Sequence, residues 1–321
     1  MEFNNIISEN KIYIMGCAMI AIMLTHQPFF FDNYFVDFFH MYGLWGVELF
    51  LFVSGFGIVH SLKKNSLKTF YSHRITRLLP SCLIIGLMKL LFYSIGFNEA
   101  AHANILLLVT NLYMWYIYAI IIYYLLSPIL FKVLKKGGFW IVIIICIISY
   151  LCRYIPFNNS PYFLINQLSW VTGRLPIFVF GMYVAIKPLN FKISTINVVG
   201  TIVFIACMIL RAGSIMVKYK WNVPYVYTLL VFATPMLCVL CSYIKVLFQK
   251  FKCLPVLEFL GKNSLEIYLI HVSVYLNVAR NSIFANYNSY TKALLSLGLI
   301  LLFTIITIKM KEYINTKLAK I

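Results

Sequence analysis

The sequence predicts an all-α fold, a polytopic membrane helix bundle of about ten transmembrane helices with both termini cytoplasmic. Three observations predict it. Of the 321 residues, 62% are hydrophobic and 11% charged, where soluble domains run about 45–50% and about 25%. Mean hydropathy is +0.87. The apolar residues fall in runs approaching the ~20 residues a helix needs to cross hydrocarbon, and Lys and Arg gather between those runs. A soluble enzyme and a disordered chain are excluded. The net charge of +18 would raise nucleic acid as a partner in a soluble protein. Here the basic residues sit mostly in short loops, where they set topology and meet anionic lipid headgroups, so no nucleic-acid partner is expected.

The spans follow in chain order. Lys11–His26 comes after Glu2 and Glu9, which are unlike the basic start of a cleavable leader, so it is read as a retained first span. Tyr42–His60, Leu78–Phe97 and Tyr113–Leu134 are each long and apolar. Phe139–Cys152 and Val171–Ile186 are short. The Ile/Val alternation at Trp140–Ile148 mimics a strand, but no closed-barrel pattern accompanies it. Thr195–Leu210 and Pro224–Phe248 follow. Ser264–Asn281 opens behind Asn263 and Ser264, both residue types that cap helices. Lys292–Lys309 is the last. The whole chain, 1–321, reads as one integral-membrane domain with no appended soluble domain.

Basic residues orient the bundle. The even-numbered loops and the termini hold 19 Lys and Arg, and the other side holds six: Arg153, Arg211, Lys218, Lys220, Arg280 and Lys292. The richer side is expected to face the cytoplasm. Eight Cys are present. The Cys238-x-x-Cys241 pair lies in an apolar run without His or carboxylate neighbours, so it reads as packing, and no metal site is expected.

Polar residues inside spans are costly, and they mark either a site or a latch between helices. His26 ends the first span. Glu48 lies about two turns into the second, counted from the same side, so a His–carboxylate base or a helix-fastening pair are both open readings. Arg174 heads the sixth span and reads either as a clamp on a sugar, a phosphate or a developing anion, or as a snorkelling anchor. Arg74 and Arg77, three apart on one helix face, suit a phosphate-bearing ligand with Lys262 supplied from another loop, or serve topology alone. Glu266 and His271 are roughly 500° apart on a helical wheel and so do not share a tight face. His271 is a second pocket residue or a polar latch.

In order, these residues resemble the bacterial membrane-bound acyltransferase family 3. The resemblance rests on His26, then Gly46-Val47-Glu48-Leu49-Phe50, then Phe70-Tyr71-x-x-Arg74-x-x-Arg77-Leu78-x-Pro80. Trp115 with Tyr124 and Pro128, Arg174-Leu175-Pro176-x-Phe178-x-x-Gly181, and Leu260-Gly261-Lys262-x-Ser264-Leu265 continuing to His271 complete it. The resemblance implies transfer of an acyl group, most often acetyl from acetyl-CoA, to a hydroxyl of a cell-envelope or exported carbohydrate by a multi-pass protein of the cytoplasmic membrane. It implies that His26 and Glu48 are catalytic and that Arg74 and Arg77, with Lys262, bind the acyl-CoA donor. Arg174, His271 and Trp115 would line an acceptor pocket, and no tightly bound cofactor would be needed. The chain departs from the family's pattern twice: Met15 stands where many members carry Arg, and Ile120 where many carry Glu. The rival reading is a transporter or flippase for a polysaccharide or lipid-linked glycan.

Overall fold

The computed structural model describes residues 3–29, 31, 45–94, 110–111, 114–152, 163–189, 192–216 and 224–318. Arg153, Lys218, Lys220 and Lys320 lie outside the described residues, as do the outer ends of the second, third and fourth expected spans. Among the described residues the chain forms helices α1 (Phe3–His26), α2 (Trp45–Lys64), α3 (Leu67–Ser94), α4 (Trp115–Gly137), α5 (Phe139–Leu151) and α6 (Phe163–Ile186). They continue as α7 (Ile193–Met216), α8 (Pro224–Lys250), α9 (Leu254–Lys262), α10 (Ser264–Arg280) and α11 (Ser289–Leu318). A helix answers each of the ten expected spans.

Six of these helices are long and apolar enough to cross a membrane: α1, α2, α4, α11, and the 167–186 and 230–250 portions of α6 and α8. Helix α5 and the 193–207 portion of α7 are apolar but shorter. Helix α3 carries Arg74, Arg77 and Lys89, and α10 carries Glu266, His271 and Arg280, and these polar groups lower the apolar character of both helices. The molecule is a multi-pass membrane protein.

Two boundaries differ from the sequence expectation for physical reasons. Helix α1 starts eight residues before Lys11, since Phe3, Ile6 and Ile7 are buried and continue its packed face. The basic segment after the second span is helix rather than loop. Ser66 Oγ accepts from the Thr69 amide at 3.3 Å, which caps α3 and carries it through Arg74 and Arg77.

Helix α2 is the centre of the bundle, with α1, α6 and α8 against it. Its closest approach is to α6. A Cβ added at Gly55 would collide with the Phe178 carbonyl oxygen, and one at Gly181 with that of Phe52. These reciprocal gaps let two backbones touch, the small-residue packing that membrane helices use when water supplies no drive to associate. Gly16 and Gly261 seat α9 on α1 in the same reciprocal way. The outer helices turn large apolar side chains outward, such as Ile144 and Ile148 on α5, Val198 and Ile202 on α7, and Leu294 and Leu301 on α11. Such a surface is stable only against hydrocarbon.

Candidate functional site

The antiparallel run of α1 and α2 puts His26, Trp45 and Glu48 at one end of the bundle and Lys11, Lys63 and Lys64 at the other. At the first end, His26 Nδ1 lies 2.9 Å from the Ile22 carbonyl oxygen. A carbonyl only accepts, so Nδ1 carries the hydrogen, and Nε2 of the neutral ring bears the lone pair. His271 on α10 is built alike: its Nδ1 donates to the Tyr268 carbonyl at 2.7 Å, and the residue is fully buried. The two imidazoles meet edge to face with centroids 5.0 Å apart. Their meeting needs α1 and α10 side by side, and no local spacing in the sequence announces it.

Glu48 and Arg174 form a second cluster. Arg174 Nε donates to Glu48 Oε1 at 3.0 Å, and both side chains are buried. The guanidinium carbon stands 4.4 Å from the Trp115 ring centre and 5.0 Å from that of Trp170. The two indoles lie 6.0 Å apart and 30° from parallel. Arg174 is therefore a buried charge neutralised by a carboxylate and faced by two rings, rather than a snorkelling anchor. Trp170 was missed by the sequence reading, which began the sixth span at Val171. Once α6 is known to start at Phe163, Trp170 and Arg174 are one turn apart on one face.

The third feature is a cleft of about 790 Å³ at the basic end. Arg74, Arg77 and Lys11 line it, together with Tyr116, Tyr124 and Tyr268. No carboxylate appears among its described lining residues. Arg74 stacks near Phe70 and Tyr124, at 5.2 and 5.4 Å from their ring centres. Burial pulls its pKa below the ordinary guanidinium value, and the Tyr124 hydroxyl opposes that pull. The Lys11 ammonium rests over α2 at Gly57, where a Cβ would come within 3.0 Å of it. Met15 and Ile120, the two departures from the family pattern, both line this same cleft. The position of the missing Arg is one turn from Lys11, so the cleft keeps a cation on that face of α1.

Lys262 is placed elsewhere. It is exposed and pairs with Glu258 at 2.5 Å, one turn back on α9, and that hydrogen bond raises its ammonium above the usual value. It is not among the residues lining the cleft. Asn263 also differs from expectation. Its amide donates to the Phe259 carbonyl at 2.9 Å, so it closes the end of α9 and makes no side-chain cap for α10. Glu266 faces away from the histidines, accepting from Ser81 at 2.8 Å and from Lys311 at 2.5 Å, which ties α10 to α3 and α11. Among the described residues no group of three or more His, Cys, Asp or Glu side chains could hold a metal ion.

The clusters connect. Tyr116 and Tyr268, which close the inner end of the cleft, have ring centroids 4.8 Å apart. Tyr268 is 5.4 Å from His271, and His271 is 5.0 Å from His26. Along α1, Lys11 and His26 are fifteen residues apart, an axial rise of about 22 Å.

A protein-family model described as an acyltransferase domain matches residues 13–309. The match runs from α1 through most of α11 and takes in all three clusters apart from Lys11. No curated protein and no solved structure matches the chain.

Proposed function

The chain belongs to this family of membrane acyltransferases, and from that premise we propose that it transfers an acyl group from acyl-CoA, most simply acetyl, to a hydroxyl of a cell-envelope or exported carbohydrate. The observation that supports this most is the continuous line of rings from the basic cleft, which has no carboxylate among its described lining residues, through Tyr116 and Tyr268 to the two facing imidazoles. The excess of Lys and Arg on one side supports a cytosolic place for the basic end and both termini, and acyl-CoA is found in the cytosol.

In this reading Arg74, Arg77 and Lys11 hold the phosphates of the donor. Its flexible arm then runs inward beside α1 and delivers the thioester toward His26. The Nε2 lone pair of His26 takes the proton of the acceptor hydroxyl, and the freed oxygen attacks the thioester carbonyl. The tetrahedral intermediate collapses, the C–S bond breaks, and the imidazolium returns its proton to the leaving thiolate. No acyl-enzyme is needed. Arg174, held by Glu48, backs the half-buried indoles of Trp115 and Trp170, which give the acceptor sugar a flat face, so Glu48 is a positioning residue. His271 sets the ring of His26 and shields it from solvent on one side.

Isotope-labelled acetyl-CoA, membranes carrying the protein and the host's surface glycan make the test. Label enters the glycan with the wild type and does not with His26→Ala at equal amounts of folded protein. Incorporation by His26→Ala equal to wild type would remove His26 from the base role. Label absent from every glycan fraction with the wild type would remove acetyl-CoA as the donor. Translocation of a labelled glycan without any acyl donor would favour a transporter.

A further inference from the structure

We propose that the side-chain amide of Gln27 is a catalytic residue of the transfer, donating to the oxyanion that forms when the thioester carbonyl is attacked. The assignment rests on the transferase reading above and adds to it the group that receives the negative charge.

Gln27 ends a buried row. Met19 and Met23 lie one turn apart on α1, and Gln27 continues their row by one more turn, its backbone N–H donating to the Met23 carbonyl at 3.1 Å. All three residues are buried. Such a row suits another apolar side chain, and an amide in that place is costly unless it is hydrogen-bonded. Half of it is. The Phe29 backbone N–H donates to Gln27 Oε1 at 3.0 Å. An N–H only donates, so the atom it meets is the amide oxygen, and the other end of the amide is an NH2 group with two hydrogens to give. That nitrogen is buried and has no hydrogen-bond partner among the described residues.

The task of the amide follows from where the chain holds it. His26 precedes it, and the His26 ring meets His271 with centroids 5.0 Å apart. Two residues further on, the Phe29 ring meets Tyr275 at 6.3 Å. His271 and Tyr275 are one turn apart on α10, with ring centroids 6.1 Å from each other. The segment from His26 to Phe29 therefore runs along α10, and Gln27 is fixed between its two contacts. His271 Nε2 is buried too, without a hydrogen-bond partner among the described residues. Its ring hydrogen is committed through Nδ1 to the Tyr268 carbonyl, so Nε2 bears a lone pair that repels an anion. Consecutive residues thus supply the base and a donor for the charge that the base creates.

In the transfer, His26 Nε2 takes the hydroxyl proton while the hydroxyl oxygen bonds to the thioester carbon. The carbonyl π pair moves onto its oxygen, which becomes the oxyanion and accepts from Gln27 Nε2. No proton leaves the amide. As the C=O bond re-forms, the C–S bond breaks and the thiolate takes the proton from His26. A donor of this kind contributes most when it is aimed before the charge appears. The Phe29 hydrogen bond and the packing of Phe29 on Tyr275 hold the amide in that way.

The test measures kcat and both KM values with labelled acetyl-CoA and the host's surface glycan, at equal amounts of folded protein. Gln27→Met keeps the length of the side chain and removes its donors. Gln27→Glu, assayed well above the carboxylate pKa range, keeps an oxygen for the Phe29 N–H and sets a negative charge beside the oxyanion. Each variant lowers kcat by about 100-fold or more, the loss of one oxyanion donor, with both KM values within about 2-fold of wild type. A kcat near that of the wild type in Gln27→Glu would overturn the assignment, leaving Gln27 only the task of holding the Phe29 turn. A raised acceptor KM at unchanged kcat would overturn it as well, and would make Gln27 a ligand of a sugar hydroxyl. Gln27→Glu retains the hydrogen bond of the turn, so it decides the matter even where Gln27→Met fails to fold. Label transfer by the wild type with an unimpaired Gln27→Glu removes this assignment alone. A wild type that transfers no label removes the transferase reading and the assignment with it.

Discussion

Replacing Glu48 with Gln and Arg174 with Met, singly and together, measures what the buried ion pair contributes to holding α2 on α6. The side chains are 0% and 2% exposed, with Nε and Oε1 3.0 Å apart. At an effective dielectric of about 20, two unit charges about 4 Å apart attract by roughly 4 kcal/mol. Removing one member of a buried pair costs ~3–5 kcal/mol, because the survivor stays desolvated. Glu48→Gln falls at the lower end of that range, since Trp115 and Trp170 still face the guanidinium. Arg174→Met falls higher, because it removes the ion pair and both ring contacts. The double variant places two uncharged side chains of similar size together, so it costs less than either single change, and the coupling then exceeds the larger single cost, about 5 kcal/mol. Unfolding by SDS in mixed micelles, followed by tryptophan fluorescence, supplies the four stabilities. A coupling below about 0.5 kcal/mol, the ordinary range for independent sites, would refute the reasoning and return Glu48 to a part in the chemistry itself.

Lys11→Met raises the donor KM by about 10-fold or more, the loss of one charged contact, whereas Lys262→Met leaves it unchanged. Donor titrations on quantified enzyme separate the two. Arg74→Lys also weakens donor use, because an ammonium lacks the guanidinium's paired donors for phosphate; wild-type donor dependence in that variant would leave Arg74 a purely topogenic role. Gly181→Leu drives a side chain into the Phe52 carbonyl and lowers the SDS midpoint by an amount equivalent to at least about 1–3 kcal/mol. Gly298→Leu, with nothing within 4 Å of its Cβ position, leaves the midpoint unchanged in the same titration.

The helices were legible in the sequence because each contains an apolar run, six of them long enough to cross a membrane, and that property is local. Their charged ends were harder. The segment from Lys63 to Arg77 is too polar to cross hydrocarbon and so reads as loop, yet Ser66 caps it and it continues as α3. Lys262 was assigned to the donor from its place in the chain, although Glu258 four residues earlier already offered the pairing that holds it on the surface. Lys11 carried the opposite signal. It was counted as a topological charge, while its position one turn before Met15 puts it on the same face of α1. The meeting of His26 with His271, and of Glu48 with Arg174, was not legible at all, because each joins residues over a hundred positions apart through the packing of α1, α2, α6 and α10. The expectation that Glu266 and His271 point apart held, being a matter of angle along one helix.

The basic cleft and the Trp115–Trp170 face have no lining residue in common, so in the reading proposed above donor and acceptor occupy separate places and neither has to leave before the other binds. An enzyme laid out this way meets its two substrates in either order and reacts only when both are present. Its initial rates, plotted as reciprocals at several fixed concentrations of the second substrate, form intersecting lines rather than the parallel set of a shuttle that releases one product before admitting the next substrate.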